Sequence, residues 1–176
     1  MSENLFRGKD RTGILNRDWL FGCLDNLDED YPQIIYKDRW GNRIIADVDK
    51  NTVGQFTGLT DKNGKKIFEG DIVKSKHTIR LAGTKEETQE KNLPRRAYGM
   101  QAVKTDCLFY SLGNEGERFD LIYYRNYVVK NDINGQRTKL QNGSDWHFLS
   151  ASYVHYHELE VIGNIHDNTE LLEVNQ

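Results

Sequence analysis

Apolar residues along the chain fall in short runs separated by polar turn clusters. The runs cover Trp19–Leu24, Gln33–Tyr36, Arg43–Val48, Ile72–Ser75, Gln101–Tyr110, Phe119–Lys130 and Glu160–Ile165. They are rich in β-branched and aromatic side chains, the composition of half-buried strands. Three Asn-Gly pairs, at Asn63-Gly64, Asn134-Gly135 and Asn142-Gly143, supply residues that accept the positive φ of tight hairpin turns. Between Gln33 and Ile45 two apolar runs flank a polar, glycine-containing centre, which predicts another hairpin. No window sustains a 3.6-residue apolar period over three turns, so helix is expected to be scarce. The best helical candidate is the short Asn168–Leu172 segment, with Asn168 as its N-cap.

This spacing predicts a mainly β protein with a small SH3-like or similar β-barrel core. An N-terminal β portion over 1–60 packs on a barrel-like portion over 61–176. Two segments break the pattern. Asp25–Asp30 carries four acids in six residues, and Lys76–Tyr98 is too polar to bury a core, which predicts a polar mobile insertion near 76–98.

Composition narrows the class. At 176 residues the chain can bury a core without metal or disulfide support. Its 37% hydrophobic and 29% charged residues call for an extensive polar surface. Cys23 and Cys107 have no Cys-x-x-Cys spacing and read as free thiols. Neither a signal-like N-terminus nor a membrane-length apolar run occurs, so a soluble, cytoplasmic protein is expected.

Catalytic and metal motifs find little support. Asp47-Val48-Asp49-Lys50-Asn51 opens like a calcium loop, but Thr52 stands where the sharp turn needs Gly and Gly58 where a bidentate Glu belongs. A polar turn explains it. His155 and His157 would share a face on a strand, with His147 or His166 as a third ligand, yet no second His completes a His-Glu-x-x-His helix. Ser144, Asp145 and His147 are of triad types but too close in sequence to converge. No phosphate-binding glycine loop is present, and neither an enzyme nor a cofactor is expected.

The stretch Thr52–Val73, containing Asp61-Lys62-Asn63-Gly64 and Glu69-Gly70-Asp71, resembles the signature block of the YopX-like family of phage and prophage proteins. Phe6-Arg7-Gly8-Lys9 with Asp18-Trp19-Leu20-Phe21-Gly22 is similar to the family's opening, Leu159–Ile165 to its closing strand, and Asp167–Leu172 to its tail. The resemblance implies a phage- or prophage-encoded accessory protein in a bacterial cytoplasm, without implying a chemistry. The motif residues Asn63, Gly64, Gly70, Asp71 and Gly163 read as structural: turns at the first four and a bend or bulge at Gly163. The Asp71 carboxylate should accept a local backbone amide, a bond of about 1 kcal/mol.

Charge points to a ligand class. The net charge is −3, yet Lys74–Lys104 sums to +5, leaving −8 elsewhere. Lys76, Arg80, Arg95 and Arg96 in that segment, with Lys130 and Arg137 beside tyrosines further on, are the candidate nucleic-acid contacts. A solvated polar loop with core tyrosines explains the same residues. The expected function is thus a non-enzymatic binding module, with nucleic acid as a candidate ligand and a host or phage protein as the partner under the alternative. The alternative is a self-associating structural or regulatory protein, so a homo-oligomer is open.

Overall fold

The computed structural model describes residues 4–12, 18–26, 31–82, 108–111, 118–131, 138–142 and 145–171. These form two antiparallel sheets. The first contains β1 (Phe6–Lys9), β2 (Trp19–Asn26), β3 (Gln33–Lys37), β4 (Arg43–Asp47), β5 (Gly54–Thr60) and β6 (Lys66–Phe68), in the order β4-β3-β2-β1-β5-β6. The second contains β7 (Asp71–Ala82), β8 (Leu108–Ser111), β9 (Arg118–Asn131), β10 (Thr138–Asn142), β11 (Asp145–Phe148) and β12 (Glu160–Asn164). Its order is β11-β10-β9-β7-β12, with β8 also pairing with β9.

The mainly β expectation holds, but the strand pairing of neither sheet closes, so the barrel is not established. An isolated bridge from Asp10 to Val48 does curl the first sheet, bringing the end of β4 back to β1. The hairpins follow the turn chemistry. Each Asn-Gly pair stands between strands that pair: β5 with β6, β9 with β10, and β10 with β11. Gly64 has φ +80°, and the Asp61 carboxylate accepts the amides of Asn63 at 2.8 Å and Lys65 at 2.9 Å. The β3–β4 hairpin spans the expected Gln33–Ile45 segment, with Asp38 accepting the amides of Trp40 and Asn42 across the turn.

Several boundaries differ from the sequence reading. The first sheet takes in β6, so the change of sheet falls at Glu69–Asp71 instead of after residue 60. Residues 76–82 are strand, paired with β9 as far as Ala82, while 83–98 lie outside the described residues. One short helix, α1 (Ala151–Tyr156), was not anticipated. Ser150 caps it by accepting the Tyr153 amide, and Glu158, at φ +47°, turns the chain out of it. At the C-terminal end the expected helix is a single 3-10 turn, Thr169–Leu171.

Two apolar clusters hold the sheets. Leu20, Ile34, Ala46 and Val48 are buried in the first sheet. Ile67, Val73, Tyr127, Val129, Leu140, Leu159 and Val161 form the second, with Tyr153 and Val154 of α1 packed against them. Each buried Val, Leu or Ile side chain among them stabilises by roughly 1.5–3 kcal/mol. The side chains of β6 alternate: Ile67 enters the second cluster, while Phe68 meets Phe21 and Phe56 of the first sheet.

The sheets are joined at the turn Glu69-Gly70-Asp71. Asp71 accepts the Phe68 amide at 2.8 Å, the local bond the sequence predicts. Its other oxygen accepts from Arg7 Nη1 of β1 at 2.5 Å, and both side chains are more than nine-tenths buried. Arg7 Nη2 also donates to the Glu69 carbonyl at 3.0 Å. Gly70, at φ +81°, donates to Val129 O and accepts from the Ile165 amide, both at 2.9 Å. A side chain there would strain the backbone. Burial pushes the Asp71 carboxyl above its ordinary range, opposed by the Arg7 charge and the Phe68 amide.

Removing one partner of this pair strands a buried charge. Asp71→Ala is therefore expected to cost about 3–5 kcal/mol, well beyond a lost local cap. Urea unfolding of the single variants and of Arg7→Met/Asp71→Leu checks this. The double variant should be clearly more stable than the two single losses combined.

Candidate functional site

The two faces of the second sheet present different chemistries, because neighbouring residues on a strand alternate sides. The inner face carries His77, Tyr127 and His147 toward α1. Tyr127 Oη lies 3.3 Å from His77 Nε2, and the His77 ring centroid is 4.8 Å from that of His157. Tyr153 of α1 stacks on His157 at 4.1 Å and lies 5.3 Å from His147. The expected placement of His155 and His157 on one strand is corrected: His155 lies in α1, and His157 is its C-cap, with Nδ1 2.9 Å from Lys76 O. His166 stands apart, against Trp19. Among the described residues no group of three or more His, Cys, Asp or Glu side chains is arranged to hold a metal. The aromatic cluster packs the helix onto the sheet.

The outer face is cationic and aromatic around a covered patch, where Ile72 and Val128 are buried. Lys74 pairs in register with Asn126 and Lys76 with Tyr124, and Lys74 Nζ sits 4.5 Å from the Tyr124 ring centroid. Lys139 lies opposite Lys130 on one side and Phe148 on the other, and Gln141 lies opposite Trp146. The Lys139 ammonium is 5.1 Å from the Trp146 ring and 6.0 Å from the Phe148 ring. Those two rings meet edge to face at 4.9 Å, and remain 50% and 42% exposed. Two carboxylates stand at the opposite edge. Glu158 accepts from Lys76 Nζ at 2.5 Å, a bond that holds the Glu158 carboxyl below its ordinary value. Glu160 pairs with Lys62 at 2.5 Å and raises that lysine.

The sequence-predicted cations are thus divided. Lys76 and Lys130 share the outer face, though Lys76 is committed to Glu158. Arg80 stands on β7 in register with Asp120. Arg95, Arg96 and Arg137 lie outside the described residues, as do Ser144 and Cys107. Tyr127 is core, whereas Tyr124 belongs to the outer face. Cys23 is a free, exposed thiol on the first sheet. Asp49 caps a 3-10 turn, Lys50–Thr52, in the segment that opened like a calcium loop. Sequence reasoning missed Trp146 and Phe148. The signal was their two-residue spacing soon after the Asn142-Gly143 pair that follows Lys139.

The segments that carry the family resemblance meet in space. Besides the Arg7–Asp71 pair, Lys9 forms an ion pair with Asp167, which also accepts from Trp19 Nε1 at 2.8 Å and Asn164 Nδ2 at 2.7 Å. Gly163 sits at a register shift of β12, where a Cβ would come 2.5 Å from Asn168 Oδ1. Asp61 Oδ2 accepts the Val161 amide at 2.9 Å, tying the signature hairpin to the closing strand. Opening, signature, closing strand and tail are parts of one folded junction.

This architecture defines a mainly β protein of two antiparallel sheets bolted together by a buried ion pair. The chain belongs to the YopX family: the family profile described as YopX protein matches residues 24–173. No curated protein matches the chain.

The Asp167 junction generates a pH dependence. Burial alone would raise this carboxyl, but hydrogen bonds from Asn164, Lys9 and Trp19 bring it from 3.8 to about 2. Because the folded value is the lower one, the stabilisation is fully present above pH 3.8 and lost as pH falls through about 2. Thermal unfolding across that window should show a steeper acid loss in the wild type than in Asp167→Asn.

Proposed function

We propose that the protein is a non-enzymatic binding module whose outer face on the second sheet takes nucleic acid. The observation that carries this reading is the grouping of Lys74, Lys130 and Lys139 with exposed aromatic rings on one sheet surface. Lysines neutralise phosphates and release counterions, while aromatic rings offer contacts indifferent to sequence. Lys76 is a weaker contributor than its position implies, because Glu158 already neutralises it.

A second reading, self-association or capture of a protein partner, rests on the first sheet. There Phe21 and Ile45 are half exposed on the side away from the Leu20 and Ile34 core, beside Cys23. Charge and apolarity separate the two readings. Nucleic-acid binding is salt-sensitive and follows the lysines, whereas self-association follows Phe21 and persists at high salt.

Fluorescence anisotropy with labelled DNA and RNA at two salt concentrations tests the first reading. Binding should weaken as salt rises, and Lys130→Gln/Lys139→Gln should lower the salt slope by about two. If nothing binds at low salt, the reading fails. A fall in apparent mass for Phe21→Ser by light scattering would then put self-association in its place.

A further inference from the structure

We infer that the ligand of the outer face is single-stranded, and that one base stacks on Trp146. This rests on the nucleic-acid reading above and deepens it. Trp146 and Phe148 are two residues apart on β11, so both rings project from the same side of the sheet as Lys130 and Lys139. Both are large apolar groups about half open to water, at one end of the second sheet, and they make an edge-to-face pair with each other. Such a pair holds the rings in place while leaving ring surface uncovered. The bases of a duplex already stack on one another and present only backbone and groove edges outward, so they cannot use this surface without being flipped out. An unpaired base can, because every base has a π-face.

The lysines complete the arrangement. Lys139 reaches over both rings with its ammonium 5.1 Å from Trp146, and Lys130 is its cross-strand neighbour. A strand with one base on Trp146 runs its phosphates past these two ammonium groups. Beyond the buried Val128 and Ile72, Lys74 and the Tyr124 ring repeat the same pairing of cation and aromatic. The footprint is therefore centred on one stacked base and its flanking phosphate contacts, neither of which depends on base identity. It predicts weak sequence preference and strong preference for single strands.

Trp146→Ala, Trp146→Phe and the wild type, each checked for an unchanged thermal midpoint, should be titrated with an oligothymidine, an oligouridine and a DNA duplex of matched length. Since Trp146 is half exposed, its removal leaves the fold intact. The alanine variant should lose about tenfold in single-strand affinity, and the phenylalanine variant should recover most of it. Duplex binding should be weaker than single-strand binding in the wild type and unaffected by either change. Equal affinity for duplex and single strand, or single-strand affinity unchanged in Trp146→Ala, overturns the stacking inference while leaving phosphate binding by the lysines standing. No binding of any probe overturns both. A drop in apparent mass for Trp146→Ala without nucleic-acid binding identifies the aromatic pair as a protein contact and also overturns the inference.

Discussion

Everything else in the molecule hangs on the buried pair between Arg7 and Asp71. Two antiparallel sheets built from consecutive hairpins have no intrinsic reason to keep a fixed relation to one another. A guanidinium from the first strand, held by a carboxylate at the start of the seventh, gives them one. The turn around it is wired in several directions: to β5 through Gln55, to β9 through Val129 and Asn131, and to the end of β12 through Ile165. Burying two charges is costly unless both are paired and hydrogen-bonded. The Phe68 amide and Glu69 carbonyl supply those further bonds, so the pair acts as a geometric lock more than as a large net source of stability.

That lock accounts for the form of the family signature. Its glycines and acids serve turns and junctions: Gly70 adopts a left-handed conformation, Asp61 caps a hairpin and ties it to β12, and Gly163 leaves room for Asn168. The signature residues therefore serve the fold, and the ligand proposed above falls to surfaces outside them. The outer face of the second sheet is one such surface, since Lys130, Lys139, Trp146 and Phe148 come after the signature block and before the closing strand.

Alternation along the strands of that sheet divides labour between its sides. Val73, Tyr127 and Leu140 point inward and are buried with α1 above them, whereas Lys74, Lys130 and Lys139 point outward between them in sequence. One set of strands thereby supplies both core and the surface proposed for binding. A one-residue slip in register would exchange the two, which is why the apolar inner face fixes the position of the outer one.

Strand placement, turns and the scarcity of helix were legible in the chain, because they depend on neighbours in sequence. Asn63-Gly64 sets a turn, β-branched runs set strands, and Asp71 finds its amide three residues away. The role of Arg7 was not legible, since its partner lies 64 positions on and nothing local marks it. The short helix escaped for a similar reason: Ala151–Tyr156 is too brief to show a period and owes its stability to packing on the sheet. Basic segments could be counted, but only pairing register decides which lysines share a face, and only tertiary contact decides that Lys76 is neutralised by Glu158 while Lys139 meets two exposed rings. Local backbone preference is written in neighbouring residues; the convergence of distant side chains on one surface is decided by the folded sheet.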